Sequence, residues 1–221
     1  MMQEIPYQVV RSNRKSIALV IDSDANLIVR APYRAKESDI AGFVEKKRNW
    51  IASKQRQISG CAAKYSPLSL KNGEGLPYLG NIYIIKRDAV PSIRLSGANI
   101  LLPAGCTKDD VIAWMQGEAA GILAERVPLY AGRMEVRYSS VKLSGAKTRW
   151  GSCSAKDKLR FAWRLAMCPL PVIDYVVVHE LCHVAHKNHG AVFWASVRAA
   201  FPNYKQQRDW LKANGKIMEI L

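Results

Sequence analysis

Val172-Ile173-Asp174-Tyr175-Val176-Val177-Val178-His179-Glu180-Leu181-Cys182-His183 is the stretch on which the reading of the whole chain turns. Ile173, Val176, Val177, Leu181 and Val184 recur at helical spacing, so a helix over residues 172–186 is expected to bury that face. Pro169 and Pro171 stand just before it, where the fixed φ of proline suits a helix start. On such a helix His179 and His183 lie one turn apart on one face, so both imidazoles reach one ion. His-Glu-x-x-His is the pattern of a helix-borne zinc site whose glutamate serves as general base, which assigns that role to Glu180.

The chain carries four histidines, at 179, 183, 186 and 189. A catalytic zinc takes three protein ligands and leaves a fourth position for water, so a third donor is required. His189 is the choice: the helix must stop near His186, and Asn188 and Gly190 suit the turn that brings His189 back. His186 is the rival, although an undistorted helix spreads residues 179, 183 and 186 along about 10 Å of axis, too long for one ion. Cys182 is conceivable as a soft ligand but reads better as a thiol of the helix core. One zinc per chain on His179, His183 and His189 is the expectation.

Immediately upstream, residues 134–143, 148–154 and 159–167 read as three strands, the last two joined by a turn at residues 155–158. Gly151 within the second strand marks a close approach of neighbouring backbone. A strand there, beside the metal, suits pairing with an extended peptide and offers Arg149 and Ser152 to an anionic group. Arg149, Tyr204 and the backbone of 150–152 are candidates for stabilising an oxyanion, so Arg149, Trp150, Ser152 and Tyr204 form the candidate substrate-binding set. From Arg137 to Arg164 there are eight basic residues and a single acid, Asp157. Nucleotide or nucleic acid would use such a stretch.

Farther out, Thr107 and Asp110 form a capping box opening a helix that Pro128 should kink or end. A further helix is expected over residues 191–200, stopped by Pro202. The first hundred residues read mostly as strands. Residues 16–21 and 27–29 form one hairpin, and residues 78–85 and 93–102 two more. A helix capped by Ser38 and running to about residue 59 presents Ile40, Phe43, Val44, Ile51 and Ile58 on its apolar side. The expected division is a β-rich unit over residues 1–105 and a catalytic domain over residues 106–221.

Composition sets the class. The 221 residues are 49% hydrophobic and 23% charged, enough for a packed core and too apolar for a disordered chain. No run of eighteen apolar residues exists and the start lacks a secretory signal, so no membrane association and a cytoplasmic location are expected. Five cysteines without a CxxC pair fit reduced thiols rather than a disulfide framework. The net charge of +15, densest in the C-terminal part, would draw anionic partners.

Arg149-Trp150-Gly151-Ser152-Cys153-Ser154, Trp163-Arg164-Leu165, Pro169, the 174–183 stretch, Asn188-His189 and Phe193-Trp194 resemble the YgjP-like metallopeptidase family. Arg14-Lys15-Ser16-Ile17, Val29-Arg30-Ala31-Pro32, Trp50-Ile51 and Tyr78-Leu79-Gly80 extend the likeness over nearly the whole chain. Ala162 and Gly190 depart from it, standing where Asn and Ser are expected. The resemblance implies a zincin-like hydrolase with zinc at His179, His183 and His189 and Glu180 as base. The spacing of the third histidine is more loosely similar to WLM and SprT-like proteases.

The fold expected is therefore α+β: a β-rich N-terminal unit followed by a zincin-like mixed sheet with an active-site helix. The chemistry expected is zinc-dependent hydrolysis through an activated water, most directly of peptides. Alternatives are hydrolysis of nucleotide phosphoanhydrides on the same metal site, and a non-catalytic nucleic-acid-binding protein that keeps zinc for structure.

Overall fold

A computed structural model describes residues 5–22 and 25–221, with the side chains of all of these but 57–64. The chain separates into two compact units, Met1–Ser66 and Pro67–Leu221. In both, helices cover small mixed sheets, an α+β arrangement.

The first unit holds β1 (Tyr7–Ser12), β2 (Ala18–Ile21) and β3 (Leu27–Pro32) in the order β1-β3-β2. The β2–β3 hairpin is the expected one, and β1 lies parallel to β3 on its other side. Leu27, Val29 and Ala31 alternate inward on the central strand and meet Ile40, Val44 and Ile51. Those three come from two helices rather than one, α1 (Glu37–Lys46) and α2 (Arg48–Lys64). Lys47 leaves helical geometry at φ −105°, ψ 9°, and its N–H bonds back to Val44 and Glu45. The cap of α1 is Lys36 rather than Ser38, with no side-chain bond, so Glu37 and Asp39 favour the start only by their charge against the helix dipole. Ile58 lies outside the described side chains.

The second unit begins with a four-stranded sheet of β4 (Gly75–Tyr78), β5 (Asn81–Asp88), β6 (Arg94–Ser96) and β7 (Asn99–Pro103), ordered β4-β5-β7-β6. Both expected hairpins are present. Leu79 and Gly80 carry positive φ, 46° and 82°, as the twist of a two-residue hairpin demands. A Cβ on Gly80 would lie 2.7 Å from Pro169, so this turn sits directly on the entry to the histidine helix. The Leu79 and Gly80 N–H groups donate to Ala166 and Met167 O at 2.8 and 3.2 Å. The sheet thus belongs with the residues that follow it, and position 105 falls inside this unit.

α3 (Lys108–Arg133) opens with the expected capping box between Thr107 and Asp110. Pro128 does not end it: the helix runs on to Arg133, held from both sides by buried Leu123, Val127, Tyr130 and Ala131. Burial outweighs the single backbone bond that proline removes.

A second sheet of this unit contains β8 (Ser140–Ser144), β9 (Gly151–Cys153) and β10 (Lys158–Ala162), in the order β8-β10-β9. The three strands are shorter than expected. Residues 134–139 precede β8 as coil, and residues 163–167 form a 3-10 turn in which every side chain is buried. α4 (Leu170–Ala185), α5 (Ala191–Ala200) and α6 (Tyr204–Ala213) complete the unit, the last without a counterpart in the sequence reading. Residues 172–178 of α4 are all buried, so this helix is core on nearly every side. Its buried Asp174 is gripped by Arg126 of α3 through two 2.7 Å bonds and by the Tyr130 hydroxyl at 3.0 Å.

Candidate metal centre

α4 stops where the site needs it to. His186 takes φ −128°, ψ 94°, and its N–H closes the last turn on Cys182 O. Residues 186–190 then fold back before α5, which carries His189 toward the helix face bearing His179 and His183. The Nε2 atoms of His179 and His189 lie 3.0 Å apart, and those of His183 and His189 3.1 Å. Metal–nitrogen bonds of 2.0–2.1 Å at tetrahedral angles place neighbouring nitrogens about 3.3 Å apart, so the cluster fits one cation. His183 Nδ1 pairs with His186 O at 2.9 Å, which fixes the tautomer that leaves Nε2 free for the cluster. His186 thus serves through its backbone while its ring stands apart from the three. Cys182 is buried in the helix core, its thiol pushed up to about 11 by desolvation, and takes no part.

The rings are held by aromatic packing. Phe193, 1% exposed, lies with its centroid 4.5 to 4.9 Å from all three imidazoles. Trp194 stacks on His189 at 5.8 Å, Tyr204 on Trp194 at 5.5 Å, and Arg208 sits 5.1 Å over Trp194. Burial, with the neighbouring His183 and His189 rings, pulls His179 down to about 3. Burial also lowers His183. Both rings are therefore neutral at physiological pH, the form that ligates.

Glu180 is 5% exposed, and one of its carboxylate oxygens is buried with no hydrogen-bond partner among the described residues. Desolvation raises it to about 8. It lies against β9: a Cβ on Gly151 would come within 2.7 Å of Glu180 Cγ and Oε1. The glycine does mark a close approach, of a side chain rather than of backbone. A carboxylate of high proton affinity beside three converging imidazoles is equipped to take up and return a proton.

A cavity of about 440 Å³ brings His179, Glu180, His183 and His189 together with Arg149, Ser152 and Lys187. Arg149 and Ser152 of the candidate substrate set thus line it. Trp150 packs against the core, and Tyr204 is buried in the aromatic stack between Tyr175 and Trp194, so neither lines the cavity. Lys187 escaped the sequence reading because its role comes from tertiary contact. Its ammonium pairs with Asp157 at 2.5 Å and donates to Ser154 O at 3.4 Å, tying the end of α4 to the β9–β10 turn. Phe193 and Trp194 were legible only through the family resemblance.

The family model described as YgjP-like, metallopeptidase domain, matches residues 15–214 of the chain. Comparisons with curated proteins and with solved structures find no match.

Proposed function

The chain belongs to the YgjP-like metallopeptidase domain family, and on that footing we propose that it is a zinc-dependent peptidase of zincin type, acting in the cytoplasm. The observation that carries this reading is the meeting of three imidazole nitrogens and one buried, unpartnered carboxylate in a single cavity. His179, His183 and His189 would hold the ion. The chemistry it supplies when bound is Lewis-acid activation of water and of the scissile carbonyl.

The remaining roles fall to side chains and backbone. Glu180 accepts the proton of the attacking water and returns it to the leaving amine. Gly151 leaves room for the carboxylate to lie flat against β9. That strand is the free edge of its sheet, and its pairing with β10 runs through Trp150, Ser152 and Ser154. The antiparallel alternation therefore turns the N–H and C=O groups of Gly151 and Cys153 outward, where an extended polypeptide adds as a further strand. Arg149 stands beside this edge to meet an oxyanion as it develops.

Elemental analysis tests the site. About one zinc per chain is expected in the purified protein, lost in His179→Ala and in His189→Ala. Glu180→Gln should keep the zinc and lose peptide hydrolysis by at least about 100-fold. Absence of zinc from the reconstituted protein, or unchanged hydrolysis in Glu180→Gln, would overturn the reading.

A second reading, hydrolysis of nucleotide phosphoanhydrides, draws support from the exposed face of the β8-β10-β9 sheet. Lys142, Lys158 and Arg160 alternate outward there while Val141, Leu143, Leu159 and Phe161 turn to the core. Nucleotide or nucleic acid is the partner such a face suits. Release of phosphate or pyrophosphate from nucleoside triphosphates, abolished in Glu180→Gln, would establish this reading in place of the first.

A further inference from the structure

β9 has a cavity on each side. The larger holds the histidines and Glu180. The smaller, of about 100 Å³, is lined by Ser144, Ala146, Arg149, Gly151, Ser152 and Arg160. Arg149, Gly151 and Ser152 line both, so this stretch of chain is a wall common to the two.

The smaller cavity is cationic and built. Arg160 lies opposite Ser152 in the β9–β10 ladder, which puts both side chains on the sheet face away from the core. Neither Arg149 nor Arg160 has an acidic partner among the described residues. The nearest acid of this segment, Asp157, is already matched by Lys187. The loop leading to Arg149 is fixed from beneath. Arg164, 4% exposed and stacked on Trp163 at 4.2 Å, donates to Gly145 O at 3.1 Å. Arg149 and Arg160 thus bring two positive side chains to the lining of one small cavity, and the planar fork of a guanidinium matches the paired oxygens of a carboxylate or phosphoryl group.

We infer that this pocket is an anion subsite that binds an acidic group, carboxylate or phosphoryl, carried by a polypeptide substrate close to the bond that is cut. The inference rests on the peptidase reading and deepens it, because it names the class of polypeptide preferred. An extended chain lying on the outer edge of β9 passes Glu180 at Gly151. A side chain of that same segment reaches across Gly151, the wall shared by the two cavities, to Arg149 and Arg160. Arg160 belongs to the smaller cavity alone and so reads specificity without entering the reaction.

Binding to the zinc-loaded, full-length Glu180→Gln protein separates the possibilities without turnover. Fluorescent peptides of one sequence would carry Glu, phosphoserine, Gln or Lys at a single position, scanned along the peptide, and be titrated by anisotropy. At the preferred position the Glu and phosphoserine peptides are expected to bind about tenfold tighter than the Gln peptide at low salt. Adding Arg160→Gln should erase that gap while zinc content stays the same, and Arg160→Lys should restore part of it. The relative affinity of Glu and phosphoserine peptides decides between carboxylate and phosphoryl. Equal affinity of charged and neutral peptides, or a gap that survives Arg160→Gln, overturns the inference. If no peptide of any charge binds this variant and none is cut by the unaltered zinc-loaded protein, the peptidase reading itself fails. The pocket is then judged by calorimetry with inorganic phosphate: binding lost in Arg160→Gln keeps the anion site, and no binding removes it.

Discussion

At the scale of single residues the site depends on what Gly151 lacks. Any β-carbon there meets Glu180 Cγ and Oε1 at 2.7 Å, inside van der Waals contact, so the carboxylate must shift away from β9 toward the cavity it lines. Gly151→Ala is therefore expected to displace the base by about 1 Å and lower kcat by about 100-fold. The three histidines stand clear of that contact, so zinc content by elemental analysis should not change. Loss of zinc together with activity would show that the strand supports the ligands instead. That His179 and His183 share one face was legible from spacing, because helix geometry alone brings residues four apart together. The dependence of Glu180 on Gly151 was only half legible. Glycine signalled a close approach, but the approaching atoms come from a helix almost thirty residues later. His189 illustrates the same limit, since its place depends on how the chain turns after His186.

At the scale of elements, α4 is held in register by a charge pair rather than by its apolar face alone. Arg126 donates two 2.7 Å bonds to Asp174, with side-chain exposures of 17% and 9%, and the Tyr130 hydroxyl donates a third to the carboxylate. Removing one partner leaves the other buried and unpaired, so Asp174→Ala should cost about 3–5 kcal/mol in urea unfolding. Replacing Arg126 and Asp174 together with apolar residues should cost less than that single change, and an equal or greater cost would refute the pairing argument. The capping box of α3 gives a pH signature. Bonds from the Thr107 N–H and hydroxyl hold Asp110 below its ordinary value of 3.8. A depressed folded-state pKa adds stability that is present above 3.8 and lost as the pH falls through the lower folded value. Asp110→Asn is thus expected to flatten the acid limb of the stability curve, measured by thermal unfolding between pH 5 and 2. α3 was legible from its capping box and α5 from Pro202 beyond its end, whereas Pro128 misled because the helix continues through it to Arg133. Lys47 carries no breaker, so the division between α1 and α2 could not be read. β1 went unread because its partner β3 is parallel and joined through an intervening strand.

At the scale of the whole molecule, the two compact units divide at Ser66 and Pro67, well before the change from strands to helices that a linear reading takes as a boundary. Local pattern records where one element type gives way to another; it does not record which elements share a core. The four strands between residues 75 and 103 share theirs with the helices that follow. Tyr78 bonds Glu118 of α3 and packs on Trp114 at 5.1 Å, and the Leu79-Gly80 turn donates to the 3-10 segment ahead of α4. The three clustered histidines, Glu180 and the arginine-lined pocket lie in this second unit, which has a hydrophobic cluster of its own. A fragment of residues 67–221 is accordingly expected to unfold cooperatively and to bind about one zinc. A fragment of residues 106–221 strips the β4–β5 turn from Pro169 and uncovers Tyr78's side of α3, so it should lose cooperative unfolding and most of its zinc. Circular dichroism melts with elemental analysis of both fragments decide the matter. If the shorter fragment folds and holds zinc as well as the longer one, the sheet is an accessory and the helix of the histidines is held by α3 and its own neighbours alone.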